Sequence, residues 1–237
     1  MGLSIAVHPY GDSALYVEVI EGTDEQAWRL THALAQTLRE QAPPGVLNTV
    51  PTYDTIFIEF DLAATSHARV HSRILDVFHA VRSEAGHTLA SRRFVLPVVY
   101  GGDFGPDLVP VAQVLDMSTQ ALVERHTSHV HKIRCIAGPV GGPMMAAPQL
   151  PALVPRQSSP RARVPAGAIL LAGRQGFVKT MDGPGGWQII GRTPLQLISL
   201  DTDPLVPWRP GDDIRFDAID ESEWSRWEGR RPGADDG

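Results

Sequence analysis

The sequence has 237 residues, 43% hydrophobic and 20% charged, with a formal net charge of −6, enough chain for one large domain or two small ones. No apolar run approaches the roughly 18 residues of a membrane span, the acidic balance argues against nucleic-acid binding, and one cysteine excludes an internal disulfide. MGLSIAVHPYGD lacks a basic n-region and meets Gly11-Asp12 too early for a signal peptide, so the cytoplasm is the expected compartment.

Residues 4–8 and 14–19 read as short strands around the turn Pro9-Tyr10-Gly11-Asp12. An amphipathic helix follows from 24 to about 40. Trp28, Leu30, Ala33, Leu34 and Leu38 fall at near-helical spacing, Thr23 or Asp24 is the N-cap, and Pro43-Pro44-Gly45 is the stop. Residues 47–50 and 54–60 then read as strands, 66–83 as a second helix and 92–99 as a strand, which together make a compact α/β layer. Beyond Tyr100 glycine and proline become frequent, and helix periodicity survives only at 107–115 and 118–126. The apolar segments 168–172, 187–190, 195–200 and 213–216, separated by Pro/Gly turns, predict an antiparallel barrel or sandwich. The fold class is therefore α+β. The boundary is expected within 84–92, at Glu84-Ala85-Gly86-His87, giving domains 1–88 and 89–220 and a flexible tail over 221–237.

Chemistry is harder to place. His126, His129 and His131 fall within six residues, and His67 and His71 lie one helical turn apart, but neither set has the convergent ligands zinc requires, so no metal is expected. Cys135 follows Arg134, and a close cation lowers a thiol pKa, yet a lone cysteine within the apolar run 133–136 reads as a small buried hydrophobe. The sequence carries no G-x-S-x-G, S-x-x-K, Walker A or G-x-G-x-x-G signature. Only Lys132 and Lys179 could perform amine chemistry.

Charge is concentrated where the turns are densest. Between residues 155 and 193 stand Arg156, Arg161, Arg163, Arg174, Lys179 and Arg192 against Asp182 alone, a local excess that suits a carboxylate, a phosphate or an acidic partner surface, or else a solvated loop face. Within it, PGGWQIIGRTP (184–194) admits two readings. Gly185 and Gly186 permit positive φ, so the turn can present the Trp187 indole and the Arg192 guanidinium beside a pocket. Alternatively it is a barrel corner, with Trp187 in the core and Arg192 capping a loop carbonyl. The residues alone weigh these equally.

PGGWQIIGRTP, preceded by PRQSSPRARVPAG (155–167) and YGGDFGPDLVPVAQVLDMSTQALVERHTS (100–128) and joined by GDSALYVEV (11–19) and RPGDDIRF (209–216), resembles allophanate hydrolase subunit 1. This carboxyltransferase C/D-subdomain family includes the B subunit of bacterial 5-oxoprolinase and the sporulation kinase A inhibitor. The resemblance implies an α/β N-terminal domain followed by a cyclophilin-like β-barrel. It implies a heteromer with a second cyclophilin-like subunit, of the allophanate hydrolase subunit 2 type or the 5-oxoprolinase C-subunit type. It also implies a small amide substrate, with ATP or carboxybiotin reaching the chemistry through the complex. The function implied is one subunit of a hydrolase or carboxyltransferase acting on non-peptide C–N bonds and inactive alone; a regulatory protein like the kinase inhibitor and a non-catalytic scaffold are the alternatives. At matched positions, Arg156, Arg161, Arg163 and Arg192 are expected as anion or partner contacts, Gln175 and Gln188 as amide-recognising groups and Trp187 as a pocket wall; no catalytic residue is assigned.

The chain also departs from the family. Where GFxPGFxYLGG is typical, residues 137–147 place Gly138, Gly142 and Met144 at the three aromatic positions, and where GGQTGIYPxxSPGGW is typical, residues 173–187 lack the threonine and the tyrosine. At roughly 150–250 Å² buried per aromatic, the missing rings predict a loss of several hundred Å² of pocket wall, and with it a different ligand or lost catalysis.

Overall fold

The structure, a computed structural model, describes residues 3–41, 43–82, 91–138 and 140–235 and divides into two compact units, Met1–Leu89 and Ala90–Gly237. The boundary expected within 84–92 falls largely on residues 83–90, outside the described residues.

In the first unit β1 (Ser4–Pro9), β2 (Ala14–Ile20), β3 (Val46–Pro51) and β4 (Thr55–Phe60) form an antiparallel sheet in the order β1-β2-β4-β3. Strand alternation puts Val17, Ile56, Ile58 and Phe60 in one cluster with Leu30, Leu34 and Leu38 of α1 (Asp24–Glu40) and Ile74 and Val77 of α2 (His67–Val81). α1 starts on a capping box: the Thr23 side chain accepts from Gln26 N, and the Gln26 side chain accepts from Thr23 N. The cap is thus Thr23 rather than Asp24.

The second unit contains β5 (Arg93–Tyr100), α3 (Leu108–Val114), α4 (Thr119–Ser128), β6 (His131–Ala137), β7 (Gly142–Ala146), β8 (Arg161–Val164), β9 (Ala168–Ala172), β10 (Gln175–Val178), β11 (Gly183–Gly185), β12 (Gln188–Arg192) and β13 (Asp213–Ala218). Seven strands close a barrel in the order β12-β9-β10-β7-β6-β13-β5, and β5 returns to β12 through Gly191↔Tyr100 and Arg192↔Val99. The barrel is not wholly antiparallel: β5 and β13 run parallel from Arg93↔Asp213 to Val98↔Ala218, because the chain between them builds the other strands instead of a hairpin. Alternate side chains, among them Leu96, Ile133, Met145, Ile169, Leu171, Ile190 and Phe216, fill the interior. On the opposite face Leu170 and Ile189 join Val164 and Ala168 in a smaller cluster beside the two-stranded ribbon β8·β11.

Two expectations are corrected. Residues 195–200 form no strand: Pro194 lacks the N–H a ladder needs, and Leu195 and Leu197 reach the core from irregular backbone. The stretch expected as a flexible tail carries structure. A 3-10 turn (Glu221–Glu223) capped by Asp220 leads into α5 (Trp224–Trp227), Trp227 packs against the barrel core, and β14 (Ala234–Asp235) pairs with β5. Among the described residues no helix is long and apolar enough to cross a membrane.

Candidate functional site

A buried carboxylate organises the barrel end that carries PGGW. Asp107, just before α3, is 5% exposed, and instead of capping its helix the side chain reaches sideways. Its Oδ2 accepts from Ile189 N of β12 at 2.7 Å, and its Oδ1 accepts from Arg161 Nη2 of β8 at 2.7 Å and Gln157 Nε2 at 3.0 Å. Gln157 Nε2 also donates to Gln188 Oε1 at 2.7 Å, Gln188 Nε2 donates to Pro155 O at 2.7 Å, and Gln157 N donates to Gly186 O at 2.7 Å. Helix, ribbon, loop and strand are tied through one charge, which makes the turn before Trp187 costly to deform.

Beside that turn a pocket of about 360 Å³ opens. Met144, Leu170, Phe177 and Trp187 give it an apolar wall, and Arg156 and Lys179 supply two cations with no carboxylate in the lining. The Arg156 guanidinium lies 5.7 Å from the Trp187 ring centroid, and Phe177 meets the same indole edge-on at 6.1 Å. Lys179 is only 9% exposed, and its Nζ donates to Pro184 O at 3.0 Å. Neither cation makes an ion pair among the described residues.

The wall carries a ring on a neighbouring strand. Aligned without gaps, Phe177 stands where the family pattern has glycine, and Gly142 where it has phenylalanine. A Cβ on Gly142 would overlap Phe177 Cζ, and one on Gly138 would stand 3.2 Å from it. The Phe177 ring, on β10 and paired with Met144 of β7, fills the space beside these two glycines. Gly185 and Gly186 do not adopt positive φ; Gly185 is needed because β8 passes close, Val164 Cγ2 lying 3.0 Å from where its Cβ would be.

Of the residues singled out in the sequence, Arg156 and Trp187 meet at this pocket. The others are engaged within the fold. Arg161 pairs with Asp107, while Arg163, highly exposed, pairs with Asp182 at 2.6 Å. That carboxyl is held below its ordinary range by the Ala166 N–H and by Arg163. Arg192 Nε donates to Ala166 O at 2.9 Å, and its guanidinium lies over the Trp224 ring, the corner-capping geometry. Gln188 spends both ends of its amide on Pro155 and Gln157, and Gln175 opens β10 opposite Ala146 and Ala172. Sequence reasoning passed over Lys179 as a ligand group and Asp107 and Gln157 as supports; the signal for Lys179 was a cation inside an otherwise apolar strand exit.

The alternative chemistries fail on burial. Burial pushes the Cys135 thiol up to about 11, so it is no thiolate at neutral pH. His126 is buried, accepts or donates at 2.8 Å with Tyr100 Oη, and is held well below its ordinary range by desolvation; His131 donates from Nε2 to His126 O. These imidazoles pack on Phe216 as core groups. No group of His, Cys, Asp and Glu able to hold a metal occurs among the described residues.

The profile described as "Carboxyltransferase domain, subdomain C and D" matches residues 5–208. The chain belongs to this family. It is 31% identical over 233 residues to the B subunit of 5-oxoprolinase from Bacillus subtilis, covering 94% of this chain and 97% of that one. Among solved structures, TTHA0988 superposes with a TM-score of 0.74 at 29% identity over 87% of this chain, which spans only 40% of that chain. Urea amidolyase of Kluyveromyces lactis superposes with a TM-score of 0.76 over 98% of this chain and 16% of that one; at 17% identity it shares the fold.

Proposed function

We propose that this chain is one subunit of a hydrolase or carboxyltransferase complex acting on a small amide, and that the pocket beside Trp187 holds that amide by a carboxylate. The observation that carries the reading is the pairing of Arg156 and Lys179 against the flat apolar wall of Phe177 and Trp187 with no acid in the lining. The two cations take the carboxylate, and the indole and phenyl faces take the planar amide body. The relative that is a 5-oxoprolinase B subunit supports a complex, and the partner in this reading is a second cyclophilin-like subunit. ATP or carboxybiotin enters with the complex. No nucleophile and base stand together in the pocket among the described residues, so the reacting groups come from the partner.

The test uses 5-oxoproline as probe, with the chain alone and with its second subunit. The single chain should show no 5-oxoproline-dependent ATP hydrolysis and the complex should, with Arg156→Ala and Lys179→Met each raising KM at least about tenfold. Turnover by the purified single chain, or a complex whose KM ignores both substitutions, overturns the reading.

A further inference from the structure

A second pocket, of about 520 Å³, lies on the same outer side of the barrel, lined by Ala146, two residues along β7 from the Met144 of the first. It is also lined by Lys132, Arg134 and Arg174, by His129, and by an apolar wall that includes Pro148 and Leu150; no Asp or Glu lines it. Backbone irregularities deliver two of the three cations. β6 and β7 pair as Ile133↔Met145 and then Cys135↔Met144, so Arg134 is the extra residue of a β-bulge. Arg174 follows Gly173, whose φ of +58° turns β9 into β10 and is left-handed backbone that a side chain rarely adopts. Arg174 is exposed and makes no ion pair among the described residues. Lys132 is shared with Asp213 at 3.4 Å, outside the lining.

Three cationic side chains, Lys132, Arg134 and Arg174, line one concavity, and a bulge and a left-handed turn set the backbone positions of the two arginines. The guanidinium fork matches the oxygens of a tetrahedral dianion, and neutral His129, kept below its ordinary range by burial, adds a donor without a charge. The apolar side of the lining adds room for an organic body. We propose that this pocket binds a small organic phosphate, its phosphoryl group between Arg134, Arg174 and Lys132 and its body against Pro148 and Leu150. The sequence lacks a phosphate-cradling glycine loop, and here side chains take that role.

The proposal does not rest on the reading of the Trp187 pocket and is tested separately. Phenyl phosphate, inorganic phosphate and benzoate are titrated into the full chain by calorimetry at low ionic strength. Phenyl phosphate should bind saturably, at least about tenfold tighter than either of the others, and weaken with added salt. Arg174→Ala, an exposed turn position that leaves folding intact, and Arg134→Ala should each weaken it at least about fivefold, while Arg156→Ala, in the other pocket, should leave it unchanged. Equal binding of benzoate, no saturation by phenyl phosphate, or affinity insensitive to Arg174→Ala would each overturn the assignment.

Discussion

Asp107→Ala is the substitution whose cost the structure fixes most tightly. It removes the acceptor for Arg161 Nη2, Gln157 Nε2 and Ile189 N at once, at a site 5% exposed, and leaves a guanidinium whose Nη1 is already buried without a partner. Removing one member of a fully buried ion pair costs about 3–5 kcal/mol; the Arg161 side chain keeps 31% exposure, so the loss here should lie at the lower end, about 3 kcal/mol. At roughly 2–4 °C per kcal/mol for a chain of this size, the melting temperature should fall by about 10 °C. The assay is a thermal melt by calorimetry, with Asp182→Ala as control: that carboxylate also holds an arginine at 2.6 Å but is solvent-exposed, so its loss should barely register. The double replacement Asp107→Leu with Arg161→Met should recover part of the loss, since no orphaned charge remains. If Asp107→Ala melts as close to the parent as Asp182→Ala does, the buried network does not hold the turn and the argument fails.

Gly142→Ala should destabilise by about 1–3 kcal/mol through collision with Phe177, and adding Phe177→Ala should reverse the loss; urea unfolding of the pair checks it. His131 is brought down to about 4, chiefly by desolvation, from an ordinary 6.5, so as pH falls the unfolded chain takes up its proton first. Its contribution is complete above about pH 6.5 and is lost towards pH 4, about 3 kcal/mol in all, and a parent stability curve flat across that window would contradict it. Arg192→Lys keeps the charge but loses the fork over Trp224 and the Nε donation to Ala166 O, so stability should drop by about 1–2 kcal/mol in a thermal melt while 5-oxoproline-dependent turnover of the complex keeps its KM; the opposite pattern would place Arg192 at the ligand.

The first unit was legible because its signals are local. The Thr23 cap, the apolar stripe of α1 and the alternation of β4 can each be read within a dozen residues. The barrel resists such reading. All five residues of β9 are buried, so its alternation is hidden, and β8 and β11 are too short to show a period. The candidate site was half legible. Arg156 and Trp187 stand in a recognisable cluster, but what distinguishes them from Arg161 and Gln188 is a buried partner: Asp107 lies 54 positions from Arg161 in sequence, and no window contains both.

The parallel seam between β5 and β13 also dictates when the barrel can exist. Arg92 and Asp212, joined at the mouth of that seam, are 120 positions apart, so the second unit's first strand leaves the ribosome long before the strand that covers its edge. Through most of synthesis β5 offers an open, apolar edge of the kind that invites intermolecular pairing, and closure waits on the last strands. A chain interrupted anywhere between β12 and β13 would therefore be left not as a smaller barrel but as an adhesive, half-rolled sheet, the state a holding chaperone would meet.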